Sequence, residues 1–195
     1  MKRIALTGPS GAGKGHVSKM LCQKNIPILD TDLLVRKLYE QGELPQKISE
    51  HFGASVLDKN GSINRKVLAQ IVFSNKNALA SLNAMVHGTV RNEVKNWLLM
   101  QENAGAKYAV VEAPLLFEAG MEGDFDLVVS VVAPRQIRLS RICARDGIEC
   151  EQALARMQNQ MSEEQYSQKS HVTIVNDGIA DVACQVDKLI NNFMF

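Results

Sequence analysis

The chain has 195 residues, 46% hydrophobic and 22% charged, a balance that fits one domain or one core with an inserted subdomain and excludes disorder, collagen and a coiled-coil rod. Lysine plus arginine number 22 against 21 aspartate plus glutamate, a net charge of +1; this rules out a polyanion binder working by bulk charge and leaves local basic clusters to handle an anionic partner. The apolar stretch after Met1-Lys2-Arg3 is too short for a signal-peptide core, no run approaches the roughly 20 residues of a membrane span, and four scattered cysteines without a C-x-x-C pair read as reduced thiols, so a cytoplasmic protein with no membrane partner is expected.

Residues 3–7 form the first apolar run and read as a strand, followed by a helical pattern over 14–24. A short strand at 27–29 leads into a helix over 33–41. Asn64 is placed to cap a helix over 65–73, and Asn75 to cap a long one reaching about residue 101, with Leu79, Leu82, Val86, Val90 and Val94 at helical spacing. Strands follow at 108–112 and 126–132, and Pro134 suits the first turn of a helix through Arg145. Helices over 151–161 and 180–193 flank a last strand at 171–175.

Several of these strands are continuous rather than alternating, as in a parallel sheet covered on both faces. Alternation of strands with helices predicts an α/β sandwich with a five-stranded, mostly parallel sheet and right-handed crossovers. The strandless middle predicts a helical, substrate-binding insertion over about 33–105, and the Gln- and Glu-rich stretch over about 146–169 reads as a helical lid. The core then comprises about 1–32, 106–145 and 170–195.

Gly8-Pro9-Ser10-Gly11-Ala12-Gly13-Lys14 matches G-x-x-x-x-G-K, directly after a strand and directly before a helix, which is the context the phosphate-loop motif requires. Glycines let successive N–H groups turn inward toward an anion, the helix terminus adds its dipole, and Lys14 reaches the outer phosphates. The next position departs from the pattern. A Ser or Thr hydroxyl that would coordinate Mg²⁺ is replaced by Gly15, followed by His16. Lys-Gly is the adenylate kinase pattern, so the change implies a metal held through water or by other carboxylates. His16 reads equally as a phosphate contact or as a solvent-facing residue.

Asp30-Thr31-Asp32 closes the second strand, where ligands of a parallel sheet gather. If the chain stays extended there, both carboxylates face one side. Asp32 is then a candidate base and Asp30 a candidate metal residue; the alternative is that Asp32 caps the helix starting at Leu33. Glu112, ending the third strand, reads either as an outer metal residue or as a solvent-facing glutamate. Arg135, Arg138, Arg141 and Arg145 recur at helical spacing. Such a run is either a solvated face or a set from which one or two arginines close over ATP, with Arg145 at the lid hinge.

Taken together these pieces resemble the dephospho-CoA kinase family. The resemblance runs through most of the chain: Leu6-Thr7-Gly8 with Gly11 to Lys14, Asp30-Thr31-Asp32, Phe52-Gly53 followed by Gly61 to Arg65, Leu82-Asn83-Ala84 with His87, Pro114-Leu115-Leu116-Phe117-Glu118, Arg141 with Arg145, Arg156 with Gln160, and Asn176 before Gly178. It implies a P-loop kinase three-layer sandwich. It also implies transfer of the ATP γ-phosphate to the ribose 3′-hydroxyl of dephospho-CoA, with Mg²⁺. Carried over by position, Gly11, Ala12, Gly13, Lys14, Gly15 and His16 would hold the phosphates, Asp32 would be the base, and Arg141 and Arg145 would meet ATP. Arg65, His87, Pro114 and Leu115 would serve the acceptor, Asn176 would lie near the adenine, and Asp30 and Glu112 would hold the metal through water.

The sequence departs from the family at Gly15-His16, at Gly88 after His87 where Pro is usual, and at Ser170-His171 in place of Ala-Asp. Two further readings stay open: a nucleoside monophosphate type kinase, favoured by Lys14-Gly15, and an ATP-binding module weakened in catalysis by Gly15. A monomer or weak homo-oligomer is expected. Aromatic residues total 5% and no basic patch interleaves with them, so no nucleic-acid partner is expected.

Overall fold

A continuous apolar run makes a strand only where both faces of the sheet are covered, and Leu127–Val132 is buried at every position. The computed structural model describes residues 1–193. The elements are β1 (Lys2–Thr7), α1 (Lys14–Gln23), β2 (Ile28–Asp30), α2 (Thr31–Glu40), α3 (Leu44–Phe52), α4 (Arg65–Phe73) and α5 (Lys76–Asn103). They continue as β3 (Tyr108–Glu112), β4 (Leu127–Val132), α6 (Arg135–Asp146), α7 (Cys150–Gln158), α8 (Glu163–Lys169), β5 (Val172–Val175) and α9 (Val182–Phe193).

The five strands form one sheet in the order β2-β3-β1-β4-β5. Thr7 pairs with Ser130 and Val132 with Val175, both in parallel registers. Ile4 and Leu6 point to one face, where they share a core with Val17 and Leu21 of α1 and Val186 and Leu189 of α9. The alternate positions Ala5, Val111 and Val128 point the other way and are equally buried. That double coverage makes the strands read as unbroken apolar runs, and each fully buried Val or Leu contributes about 1.5–3 kcal/mol. No described helix is long and apolar enough to cross a membrane.

The chain divides into two compact units, one holding Met1–Leu29 with everything from Leu98 onward, the other Asp30–Trp97. In the second unit Asn64 caps α4 by accepting from the Val67 N–H at 3.3 Å, and Asn75 caps α5 through the N–H groups of Asn77 and Ala78. A tight turn on Asp58, whose Oδ1 accepts from the N–H groups of Asn60 and Ser62, closes the isolated bridge from Leu57 to Ile63. α3 was not expected from the pattern. It buries Leu44, Pro45 and Ile48, too few apolar positions to announce an amphipathic helix.

Several expected boundaries shift by one to three residues, three of them with a local cause or consequence. α2 starts at Thr31, two residues before Leu33. Pro134 precedes α6 and is not inside its first turn. The helix expected over 151–161 stops at Gln158, and a capping box of Ser162 and Gln165 starts α8.

The first unit is also tied at its edge. Arg3 donates to Asp126 from its backbone N–H at 2.7 Å, from Nε at 3.2 Å and from Nη2 at 2.8 Å. The Arg3 side-chain hydrogen bond holds the Asp126 carboxyl below its ordinary range. A depressed carboxylate contributes stability that is present above its unfolded pKa and is lost as pH falls through the folded value. Both side chains are partly exposed, so solvent screening limits the pair to on the order of 1 kcal/mol or less. We expect Asp126→Asn to lower stability by that amount near neutral pH and to match the parent chain in strong acid, as read from denaturant melts at both pH values.

Candidate active site

The chain leaves β1 at Thr7 and must turn into α1 within a few residues, with Gly8 at φ 137° and Gly13 at φ 99°. Only glycine adopts these angles without steric cost. Space demands glycine as well: a Cβ on Gly8 would lie 2.1 Å from the Val131 carbonyl oxygen, and one on Gly13 would lie 2.1 Å from Asn176 Nδ2. Gly13 offers no side-chain cap to α1, and the first turn of that helix carries no acidic residue. The first N–H groups of a helix lack partners within it and form the positive end of its dipole. This terminus therefore suits an anion supplied from outside.

Three side chains fix the loop from the first unit. Arg141 of α6 donates from Nη1 to the carbonyls of Gly11 at 3.3 Å and Asn176 at 3.0 Å, and from Nη2 to Asn176 Oδ1 at 3.3 Å. Asn176, just past β5, donates from Nδ2 to the Ala12 carbonyl at 2.8 Å. Gln160, between α7 and α8, accepts from the Ser10 N–H at 3.1 Å and donates to Ser10 Oγ at 3.2 Å. Lys14 lays its ammonium along the same loop, with Nζ donating to the carbonyls of Gly8 at 2.8 Å and Pro9 at 3.3 Å.

Glu112 is half-buried, not solvent-facing, and accepts a 2.5 Å hydrogen bond from Ser18 Oγ. Ser18 lies one turn beyond Lys14 on α1. The arginine run is not one solvated face. Arg138 is 5% exposed, donates from Nε to the Ala133 carbonyl at 3.0 Å and lies 3.5 Å from Glu163. Its Nη1 has no hydrogen-bond partner among the described residues. Desolvation lowers its pKa, and the Glu163 carboxylate opposes that shift. Arg145 is paired in turn: Nε reaches Asp146 Oδ1 at 2.7 Å, and Arg156 reaches the same carboxylate at 2.9 Å. These bonds, Arg145 first, hold the Asp146 carboxyl below its usual range. Gly147 then ends α6 in the left-handed region.

In the second unit the expected extended Asp-Thr-Asp is absent. Asp30 Oδ1 accepts from the N–H groups of Asp32 at 2.8 Å and Leu33 at 3.1 Å, so Asp30, not Asp32, caps α2. Asp32 stands exposed in the first helical turn. Helical rotation of about 100° per residue replaces the alternation that would have put both carboxylates on one side. Arg65 follows its Asn64 cap and lies over the Tyr39 ring, 5.3 Å from the centroid. Burial raises the Tyr39 pKa, and Arg65 opposes it. His87 is half-buried on α5.

The remaining expected residues lie in the first unit. Pro114 is half-buried, Leu115 is 55% exposed just past β3, and Gly15 and His16 are exposed at the start of α1. Sequence reading gave no bracing role to Gln160 or Ser18. Ser18 carried a signal, its helical spacing from Lys14; Gln160 stood among the residues of the resemblance, but its contact was not legible because its partner lies 150 residues away.

The family model for dephospho-CoA kinase matches residues 2–181. The dephospho-CoA kinase of Fusobacterium nucleatum is 36% identical over 174 residues, covering 89% of each chain. That of Bacillus licheniformis is 34% identical over 193 residues, covering 97% of this chain and 96% of its own. Among solved structures, a dephospho-CoA kinase from Campylobacter jejuni superimposes with a TM-score of 0.74 at 27% identity, covering 100% of this chain and 98% of its own.

A methyl group at position 13 meets both the positive φ and the Asn176 side chain. Gly13→Ala is therefore expected to weaken ATP binding by about tenfold or more, the equivalent of roughly 1.4 kcal/mol, as titration calorimetry would show. Binding at parent strength would mean that the loop does not need this close approach.

Proposed function

The chain belongs to the dephospho-CoA kinase family, and we propose that it transfers the γ-phosphoryl group of ATP to the ribose 3′-hydroxyl of dephospho-CoA, giving coenzyme A and ADP. One observation supports this reading at the residues: the loop over 8–14 is braced by the Arg141–Asn176–Ala12 contacts, with no side-chain cap on its helix terminus. Donors fixed before the ligand arrives need no reorganisation as charge moves between phosphates.

In this mechanism the amides of Gly11, Ala12, Gly13 and Lys14 receive the phosphates, with Gly15 and His16 continuing the same helix terminus. Lys14 exchanges its loop carbonyls for the β and γ oxygens. Arg141 extends its support of Gly11 toward the same oxygens, and Asn176 supports the loop from the adenine side. Asp32 accepts the proton of the acceptor hydroxyl. Arg65, His87, Pro114 and Leu115 bind dephospho-CoA, and the segment over 146–169, hinged at Gly147, closes toward ATP, with Arg145 meeting ATP from the α6 side of the hinge. The monomer or a weak homo-oligomer is the working form, and free cysteines throughout accord with the cytoplasm.

Among the described residues no group of three or more His, Cys, Asp or Glu is arranged to hold a metal. This donor set does not fit an all-protein cage but fits Mg²⁺ carried on phosphates, which keeps several waters and takes one or two carboxylates. Glu112 and Asp30, the latter with Oδ1 already engaged in its cap, would hold it through water. When bound, the ion neutralises charge on the β and γ phosphates.

The test is Mg²⁺-dependent ADP release with dephospho-CoA, beside adenosine and AMP as acceptors; release with AMP alone would overturn the reading. Asp32→Asn is expected to lower transfer by about 10²–10⁴-fold, the usual worth of a positioned base, with ATP affinity retained. Full activity in that variant would remove the base assignment. A side chain at position 15 meets nothing within 4 Å, so Gly15→Ser is expected to fold normally and to reach half-maximal rate at lower Mg²⁺. An unchanged metal dependence would show that the hydroxyl is not missed.

A further inference from the structure

The turn between α6 and α7 brings together two thiols that are seven residues apart in sequence. Cys143 Sγ donates to Cys150 Sγ at 3.5 Å, and both cysteines are free. Cys143 is half-buried on α6, beside the small cluster of Ile142, Ala153 and Met157 that joins the two helices. Cys150 is the first residue of α7 and is exposed. Gly147, in the left-handed region, lies between them. A disulfide requires the sulfurs to close to about 2.0 Å, a movement that this glycine turn can absorb. Cys22 and Cys184, the other two cysteines, lie on α1 and α9.

We propose that Cys143 and Cys150 form a dithiol site that low-molecular-weight disulfides oxidise to a reversible cross-link, fastening α7 to α6 and slowing turnover. The exposed Cys150 thiolate attacks one sulfur of the small disulfide; that S–S bond breaks, one thiolate leaves, and a mixed disulfide remains on Cys150. The Cys143 thiolate then attacks the Cys150 sulfur and expels the second small thiolate. Two protein thiols are oxidised and lose two protons and two electrons, and the small disulfide is reduced to two thiols.

The consequence for turnover follows from what lies on either side. α6 carries Arg141 to the phosphate loop, and the segment after α7 carries Gln160 to Ser10. A covalent tie across Gly147 holds these two approaches in one relation and removes the freedom that opening and closing need. This second half of the proposal rests on the lid role given above to residues 146–169; formation of the cross-link does not.

The test treats the full chain with oxidised glutathione, alkylates what remains and maps the products by mass. The expected product is two hydrogens lighter, joins the Cys143 and Cys150 peptides and reverts with dithiothreitol. kcat with ATP and dephospho-CoA is expected to fall by about threefold or more in that product and to recover on reduction. Cys150→Ser and Cys143→Ser should keep the reduced rate and ignore oxidised glutathione; if Cys143→Ser loses stability, the exposed Cys150→Ser serves alone. Reaction that stops at mixed disulfides, or cross-links that reach only Cys22 or Cys184, overturns the site. A complete cross-link with unchanged kcat overturns its hold on turnover and leaves the kinase assignment standing.

Discussion

The phosphate loop rests on one carboxamide. Asn176 donates to the Ala12 carbonyl, receives Arg141 at both its own oxygens, and stands where a Cβ on Gly13 would be. Strand register puts it there: β1 pairs with β4, β4 with β5, and Val175 lies opposite Val132. The first residue past β5 therefore arrives beside the turn that follows β1. Shorten β5 by one residue and the carboxamide misses the loop. The hydrophobic sheet thus supports the loop proposed to receive phosphates, by holding three strand ends level.

That dependence explains what the sequence revealed and what it did not. The loop was legible because its requirements are local: glycines for the turn, a lysine, a strand before and a helix after. Asn64 and Asn75 were legible for the same reason, since a cap bonds within three residues of itself. Arg138 was not. Its spacing matched Arg135, Arg141 and Arg145, and only packing distinguishes the one that turns inward from those that do not. At Asp30 the competition was between two carboxylates two residues apart, each a good cap, and the helix took the earlier one. The start of α8 has a local signal, Ser162 with Gln165, but the short helix that follows buries only Tyr166 and so lacks the apolar spacing that marks a helix in sequence.

The segment after α6 is held unevenly, and the difference is chemical. α8 buries Tyr166 at 1% exposure, with the Phe117 ring 5.9 Å away, and burial, aided by Glu118, raises the Tyr166 hydroxyl to about 12. A phenol with so high a pKa stays neutral at physiological pH and behaves as core. Lys169 adds its charge over the Phe117 ring at 5.3 Å. α7 has only Ala153 and Met157 buried against α6. Between the two helices the firm contact is polar, the reciprocal pair of hydrogen bonds between Gln160 and Ser10. Polar contacts of this kind exchange readily for water, whereas buried aromatic area does not, so α7 is the part of the segment with least to lose on moving.

α6 serves three directions at once. Arg138 points into the interior, Arg141 toward the loop, and Arg145 toward Asp146 at the turn. Their angular order is set by helical phase alone, at about 100° per residue. An inserted residue early in α6 would therefore swing all three at once, putting the Arg141 charge where Ile142 now packs and Ser140 where Arg141 meets Gly11, and a deleted one would put the apolar Ile142 side chain against Gly11. The same change after Gly147 would leave every one of those directions intact. Length variation among related chains is therefore expected to collect in the turn over 147–149 and to avoid the helix before it.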